Sequence, residues 1–296
     1  MGALPARFRR ERVLIVGCGD VGLRVLRSLN PRVRVLALTS SPHRQDELRS
    51  AGAVPLVGNL DDARTLRYLA GLATRVLHLA PPPGDGIADP RTRALMQVLR
   101  RRSAPAGVVY GSTTGVYGNC GGAWIDETRT VHAETPRAQR RVHAEESMRF
   151  WGRSAGVSVS VLRIPGIYAQ DREGGTPRGR LMRGTPVLHA QDDVYTNHIH
   201  ADDLARACVA ALWRGKPQRV VNVNDDAAFK MGDYLDAAAD LYGLPHPTRV
   251  SWDQAAKQLS PMQLSFMGES RRLCNRRMKT ELRVVLRFPS VLDGLA

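Results

Sequence analysis

The stretch Val13-Leu14-Ile15-Val16-Gly17-Cys18-Gly19-Asp20-Val21-Gly22 decides the fold. Four apolar residues run without interruption into a G-x-G-x-x-G spacing, and an amphipathic run follows (Val21, Leu23, Val25, Leu26, Leu29). That order reads as buried strand, tight glycine turn and helix. A dinucleotide pyrophosphate requires this geometry. Gly17 permits the sharp turn, Gly19 lets phosphate approach the backbone, and Gly22 lets helix and strand pack closely. Asp20 and Val21 fill the first helical turn, whose free N–H groups and positive dipole end attract an anion.

Working outward, apolar runs recur at 13–16, 33–38, 54–57, 76–79, 108–110 and 157–164. Helical patterns separate them near 21–29, 43–51, 63–69, 92–101 and 137–154. Strands alternating with helices predict an α/β fold, a doubly wound parallel sheet covered on both faces, with right-handed crossovers. The Gly/Pro/Arg-rich stretch 170–184 breaks the pattern and is expected to be a substrate-side loop. From about Asp226 the chain turns mostly helical, as a small C-terminal lobe would. The expected organisation is therefore a dinucleotide-binding domain over 1–165 and a substrate lobe over 166–296, with 196–225 returning to the sheet.

Composition excludes several classes. No apolar run approaches a membrane span, and no h-region with a cleavage site follows the basic N-terminus. Four cysteines, Cys18, Cys120, Cys208 and Cys274, lie far apart with no C-x-x-C pair, so a reduced, cytoplasmic setting without structural metal is expected. Cys18 reads as a small filler of the glycine turn. A net charge of +15 leaves nucleic acid open as a partner. Arginines are dense only at 7–12, 100–102, 140–141 and 271–277, and aromatic residues are too few to make a stacking platform, so no specific nucleic-acid binding is expected.

The end of the second strand separates NAD from NADP sites. An Asp or Glu there holds the ribose 2′-hydroxyl in NAD sites. Here the run is Leu38-Thr39-Ser40-Ser41-Pro42-His43-Arg44, with hydroxyls and an arginine and no acid. Thr39, Ser40, Ser41 and Arg44 suit a 2′-phosphate through charge-assisted hydrogen bonds. NADP is the preferred cofactor, with NAD the alternative.

Four segments together resemble one family. They are Val13–Gly22, Gly111-Ser-Thr-Thr-Gly-Val-Tyr-Gly118, Val161-Leu-Arg-Ile-Pro-Gly-Ile-Tyr168 and Asn197-His-Ile-His-Ala-Asp-Asp-Leu-Ala205. The chain resembles the extended and atypical short-chain dehydrogenase/reductases, the NAD-dependent epimerase/dehydratase group. The resemblance implies a seven-stranded Rossmann sheet with a small C-terminal substrate lobe, and it implies roles. Leu79, Ala80 and Pro81 follow the fourth strand and would pass beneath the nicotinamide ribose. Asn59 and Leu60 would meet adenine, with Asn in place of the family's Asp. Thr113 takes the position of the catalytic Ser/Thr, four residues before Tyr117. Pro165 and Ile167 would touch the nicotinamide carboxamide. Asn197, His200 and Asp202 would tie the substrate lobe to the core.

One departure is decisive for chemistry. Relatives carry Tyr-x-x-x-Lys at the start of the helix after the Ser/Thr segment; here that helix opens Thr135-Pro136-Arg137-Ala-Gln-Arg-Arg141. Proline before it and Glu145 after it place Arg137 at the tyrosine position and Arg141 at the lysine position. Arg141 can hold a ribose. Arg137 cannot be a general acid or base, because guanidinium stays protonated. The remaining proton donors are Tyr117, Tyr168, His143 or a water held by Thr113. An arginine pair suits a carboxylate or phosphate substrate and can polarise a carbonyl. Three functions follow: an NADP-dependent oxidoreductase or epimerase/dehydratase acting on a small carbonyl, hydroxyl or nucleotide-sugar-like substrate; a dinucleotide-binding sensor or scaffold without turnover; or an arginine-mediated nucleic-acid binder. In the tail, Arg271, Arg272 and Asn275 are candidates to face substrate. Family habit suggests a monomer or homodimer.

Overall fold

The computed structural model describes residues 11–296. Arg7, Arg9 and Arg10 of the first basic run lie outside the described residues.

A seven-stranded sheet forms: six strands fall on the apolar runs, and the seventh lies within 196–225, the stretch expected to return to the sheet. We number its strands β1 (Arg12–Val16), β2 (Arg34–Thr39), β3 (Val54–Val57), β4 (Arg75–His78), β5 (Gly107–Thr113), β6 (Ser158–Ile164) and β7 (Arg219–Asn222). Their spatial order is β7-β6-β5-β4-β1-β2-β3. β1 lies in register between β2 and β4, with Leu14 opposite Leu36 and Val76, all parallel. The order reverses at β1: successive strands run outward to β3, then restart on its other side at β4. Such a switch leaves a crevice at the carboxyl ends of the strands.

The central strands are continuous apolar runs because both faces are covered, while the edge strand β3 leaves Val54 and Val57 exposed. Val13, Leu14, Ile15, Val76 and Leu77 are fully buried. The connecting helices are α1 (Asp20–Ser28), α2 (Gln45–Ser50), α3 (Pro90–Leu99) and α4 (Pro136–Ala155). Two of the expected helical stretches differ in detail. Pro42 opens a 3-10 turn at Pro42–Arg44 that delays α2, and Ala63–Leu69 is a 3-10 helix capped by Asp62, which accepts the Arg64 N–H.

The chain forms two compact units. The first comprises residues up to Ser112, 139–162 and 205–220. Its core joins Leu14, Val16, Leu36, Val76, Val108 and Tyr110 to Leu95 and Leu99 of α3 and Met148 and Trp151 of α4. The second comprises 113–138, 163–204 and 221–296. It contains the helices α5 (Arg178–Met182), α7 (Met231–Tyr242), α8 (Trp252–Gln258), α9 (Pro261–Met267) and α10 (Arg276–Thr280), while α6 (Ala201–Arg214) runs across the boundary. Its core gathers Tyr168, Leu188, Tyr234, Leu235, Ala238 and Val291. The stretch 170–184 carries the short helix α5, with Leu181 buried, where a loop was expected.

Candidate active site

The glycine turn after β1 is built around a close approach. Gly17 has φ +86°, and a Cβ there would stand 2.3 Å from the Ala80 nitrogen and 2.8 Å from the Leu79 carbonyl carbon. The end of β4 is drawn in because Leu79 and Ala80 both donate N–H to the Val16 carbonyl, at 2.7 and 3.0 Å. Gly19 is the N-cap of α1, has no side chain over the helix end, and faces open space. An α-helix offers its first N–H groups no i−4 carbonyl, and no side chain caps this end. Gly22 lies under the turn, 3.2 Å from the Gly17 carbonyl oxygen at its Cβ position.

A cleft of about 540 Å³ opens over this turn. Gly17, Gly19, Thr39, Ser40, Ser41, Arg44, Asn59, Leu60, Leu79, Ala80 and Pro81 all line it, together with Asp61 and Arg91. Asp20, Val21 and Gly22 form the adjoining helical turn and are not on the lining. The cradle and cleft fit a dinucleotide: a glycine stands where no Cβ fits, beside a helix N-terminus with no side-chain cap.

The polar details are specific. The Thr39 hydroxyl folds back on its own turn, accepting from the Ser41 N–H at 3.1 Å and donating to the Ser41 carbonyl at 3.3 Å. Arg44 donates to the Cys18 carbonyl at 3.0 Å and grips Glu47. Asn59 Oδ1 accepts the Asp61 N–H at 3.0 Å, and the Asn59 N–H is donated to Thr65 at 2.9 Å. Arg91 grips Asp61 with two bonds of 2.7 Å and reaches the Pro81 carbonyl at 3.3 Å. Burial pushes the Cys18 thiol up to about 11, so it stays protonated and fills space. Nothing in the sequence marks Asp61 or Arg91 as site residues; their pairing depends on how the loops converge.

Of the candidate catalytic residues, Arg141 belongs to the first unit. It donates to the Gly111 carbonyl at 2.7 Å and to the Tyr110 hydroxyl at 3.1 Å. Burial pushes the Tyr110 phenol up to about 12. Beside them, buried Ser112 donates to Glu145 at 2.5 Å. His143 accepts the Asp89 N–H at Nδ1, 3.2 Å away, which staples the start of α3 to α4. His78 is buried against Thr92 and pushed down to about 4 by burial, so it stays neutral.

In the second unit, Thr113 closes β5 and its hydroxyl accepts the Gly115 N–H at 3.3 Å. Tyr117 is buried, donates its hydroxyl to Asn222 Oδ1 at 2.7 Å, and lies 4.6 Å from the Arg163 guanidinium. Arg137, on the first turn of α4, stacks over Phe266 at 4.9 Å. Tyr168 donates to the Ser290 carbonyl at 3.1 Å. Pro165 follows β6, and Ile167 pairs with Ile199 in a two-stranded parallel ladder. Arg271 is buried and donates to Gly118 and Glu269, while Arg272 lies over the Trp124 and Tyr195 rings. Asn275 binds the backbone of Asn224 and Asp225. These three tail residues thus organise the 118–126 and 224–226 segments. Asn197 bridges to the tail through Arg271 and Leu273. Asp202 sits beside a fully buried neighbour, Asp203, whose carboxylate accepts the Arg287 and Phe288 N–H groups. Among the described residues no group of three or more His, Cys, Asp or Glu side chains is arranged to hold a metal. No helix among them is long and apolar enough to cross a membrane.

A model of the NAD dependent epimerase/dehydratase family matches residues 13–224, most of the chain. The chain belongs to that family. Among solved structures, a functionally unknown conserved protein from Silicibacter pomeroyi is 32% identical over 96% of both chains, with a TM-score of 0.81. The UDP-glucose 4-epimerase of Thermotoga maritima, solved with UDP-glucose, matches at 18% identity and TM-score 0.77, again over 96% of each chain. The UDP-glucuronic acid 4-epimerase of Bacillus cereus, solved with NAD, matches at 17% identity and TM-score 0.74 over the same share. The two epimerases establish the fold. No curated protein matches.

Proposed function

We propose that this protein is a dinucleotide-dependent oxidoreductase of the epimerase/dehydratase type that prefers NADP. Its substrate is a small carbonyl or hydroxyl compound, nucleotide-sugar-like in character. The observation that carries the reading is the cleft over the glycine turn. Gly17 and Gly19 would cradle the pyrophosphate, Asn59 and Leu60 would face adenine, and no carboxylate ends β2 where Arg44 stands. Bound there, the nicotinamide would supply hydride transfer. The proton step falls to a group other than the family's Tyr-Lys pair, since Arg137 and Arg141 hold those positions. Fluorescence titration with NADPH and NADH tests the reading: NADPH should bind more tightly, and binding of neither nucleotide overturns it.

A second reading, a dinucleotide-binding sensor without turnover, is favoured by one observation. Arg141 is committed to Gly111 and Tyr110, and the Tyr117 hydroxyl to Asn222. Cofactor-dependent reduction in a carbonyl screen would eliminate it. Loss of that turnover in Thr113→Ala would assign Thr113 to the reacting site, and unchanged turnover in both Thr113→Ala and Tyr117→Phe would remove both residues from it.

A further inference from the structure

Arg44, the one cation at the end of β2, is not held open toward the cleft. It donates Nε–H to one oxygen of Glu47 at 2.8 Å and Nη2–H to the other at 3.0 Å, a two-point grip. Nη1 donates to the Cys18 carbonyl of the glycine turn at 3.0 Å. The guanidinium edge formed by Nε and Nη2 takes a phosphate with two parallel bonds, and here that edge carries a carboxylate. Glu47 is half exposed, and Leu48 is the only buried residue of α2, so the Glu47 side chain contributes little to packing.

We propose that Glu47 sets the cofactor preference of this site by occupying the face of Arg44 that a 2′-phosphate requires. The proposal rests on the NADP reading of the cleft. A nucleotide with a free 2′-hydroxyl meets an arginine already neutralised and tethered. A nucleotide with a 2′-phosphate must displace the carboxylate or lie beside it at like charge. Glu47 therefore opposes the phosphorylated nucleotide and leaves the other unaffected. The site combines a cation that admits the extra phosphate with an anion that limits its advantage, and Glu47 acts as a positioning residue through Arg44.

The test is paired titration of NADPH and NADH on the unsubstituted protein, Glu47→Gln and Asp46→Asn, with thermal melting to verify the fold. Glu47→Gln keeps the side-chain shape and one acceptor for Arg44 but removes the charge. Asp46→Asn removes the same charge from the same helix; neither acid lines the cleft, but Asp46 is 92% exposed and pairs with Arg49, whereas Glu47 pairs with Arg44. Glu47→Gln should bind NADPH roughly three- to fivefold more tightly, the upper part of the scale for a partly exposed charge pair, with NADH changed less than about twofold. Asp46→Asn should leave the ratio of the two affinities in place. An unchanged or lowered NADPH preference in Glu47→Gln, or an equal shift in Asp46→Asn, overturns the proposal. Failure of the cofactor reading itself appears separately, as an unsubstituted protein that binds neither nucleotide.

Discussion

Gly17 and Gly19 are two residues apart in one turn, yet the structure assigns them different kinds of work, and alanine at each separates them. At Gly17 a methyl group would overlap backbone alone: Ala80 nitrogen at 2.3 Å, Ala80 Cα at 2.6 Å and Leu79 carbonyl carbon at 2.8 Å. No side chain can swing aside, so the peptide at 79–80 must move. Moving it breaks the two bonds to the Val16 carbonyl, each contributing about 1 kcal/mol. Holding alanine at φ +86° costs about 1–2 kcal/mol more. Gly17→Ala should therefore lose roughly 3–4 kcal/mol of stability, and it should lose cofactor affinity with the geometry of the turn. Gly19 has φ −83° and open space where its Cβ would be. There the gain from a stiffer unfolded chain offsets the loss of a good N-cap, so stability should stay within about 0.5 kcal/mol. On the proposed pyrophosphate position, dinucleotide affinity should still fall at least about tenfold, because the methyl group would stand where phosphate is to reach the backbone. Urea denaturation and NADPH titration of both variants provide the measurement. A Gly17→Ala protein as stable as the original refutes the close-approach account. A Gly19→Ala protein with undiminished affinity refutes the pyrophosphate assignment.

Two further outcomes are expected. Asp203→Asn should cost about 1–3 kcal/mol, since a buried carboxylate satisfies two backbone N–H groups; hydrogen exchange at Arg287 and Phe288 should accelerate, and unchanged exchange would refute the clamp. Stability should peak near pH 6.5. Burial pushes His198 down from 6.5 to about 4 and His78 likewise downward, so the unfolded chain takes up protons first and stability falls as pH drops from about 6.5 toward 4. Burial pushes Asp225 up from 3.8 to about 8, so the folded chain retains that proton while the unfolded chain has released it, and stability falls as pH rises toward 8. Asp225→Asn should flatten the alkaline limb between pH 6.5 and 8 in denaturant midpoints, and a limb that persists would refute the assignment.

The sheet was largely readable from sequence because parallel strands buried on both faces leave uninterrupted apolar runs, as at Val13–Val16 and Val108–Tyr110. The lining of the cleft was readable for a related reason. Its residues are turn residues following strands, and a strand fixes where its next residues emerge; Thr39 to Arg44, Asn59, Leu60 and Leu79 to Pro81 all reach one cleft. What remained hidden depends on side chains converging from distant loops. Asp61 finds Arg91 thirty residues away, and Ser112 finds Glu145 across thirty-three. Adjacent aspartates posed a different problem: Asp202 and Asp203 look equivalent in sequence, but one helical step of rotation buries Asp203 completely. The 3-10 character of 63–69 was also hidden, because apolar spacing over seven residues does not distinguish three residues per turn from 3.6.

The sheet order gives the chain a schedule as well as a shape. Among the described residues β1 is the first strand in the chain, and it sits in the interior of the sheet, between β2 and β4. Every residue lining the cleft lies between Val16 and Arg91. Chains emerge from synthesis N-terminus first, and sub-structures fold as they appear. Gly17 can meet Ala80 as soon as β4 pairs with β1, without the strands that follow them in the chain. A ligand held in that cleft would favour the four-stranded block over its unfolded alternatives, because every residue it touches belongs to that block.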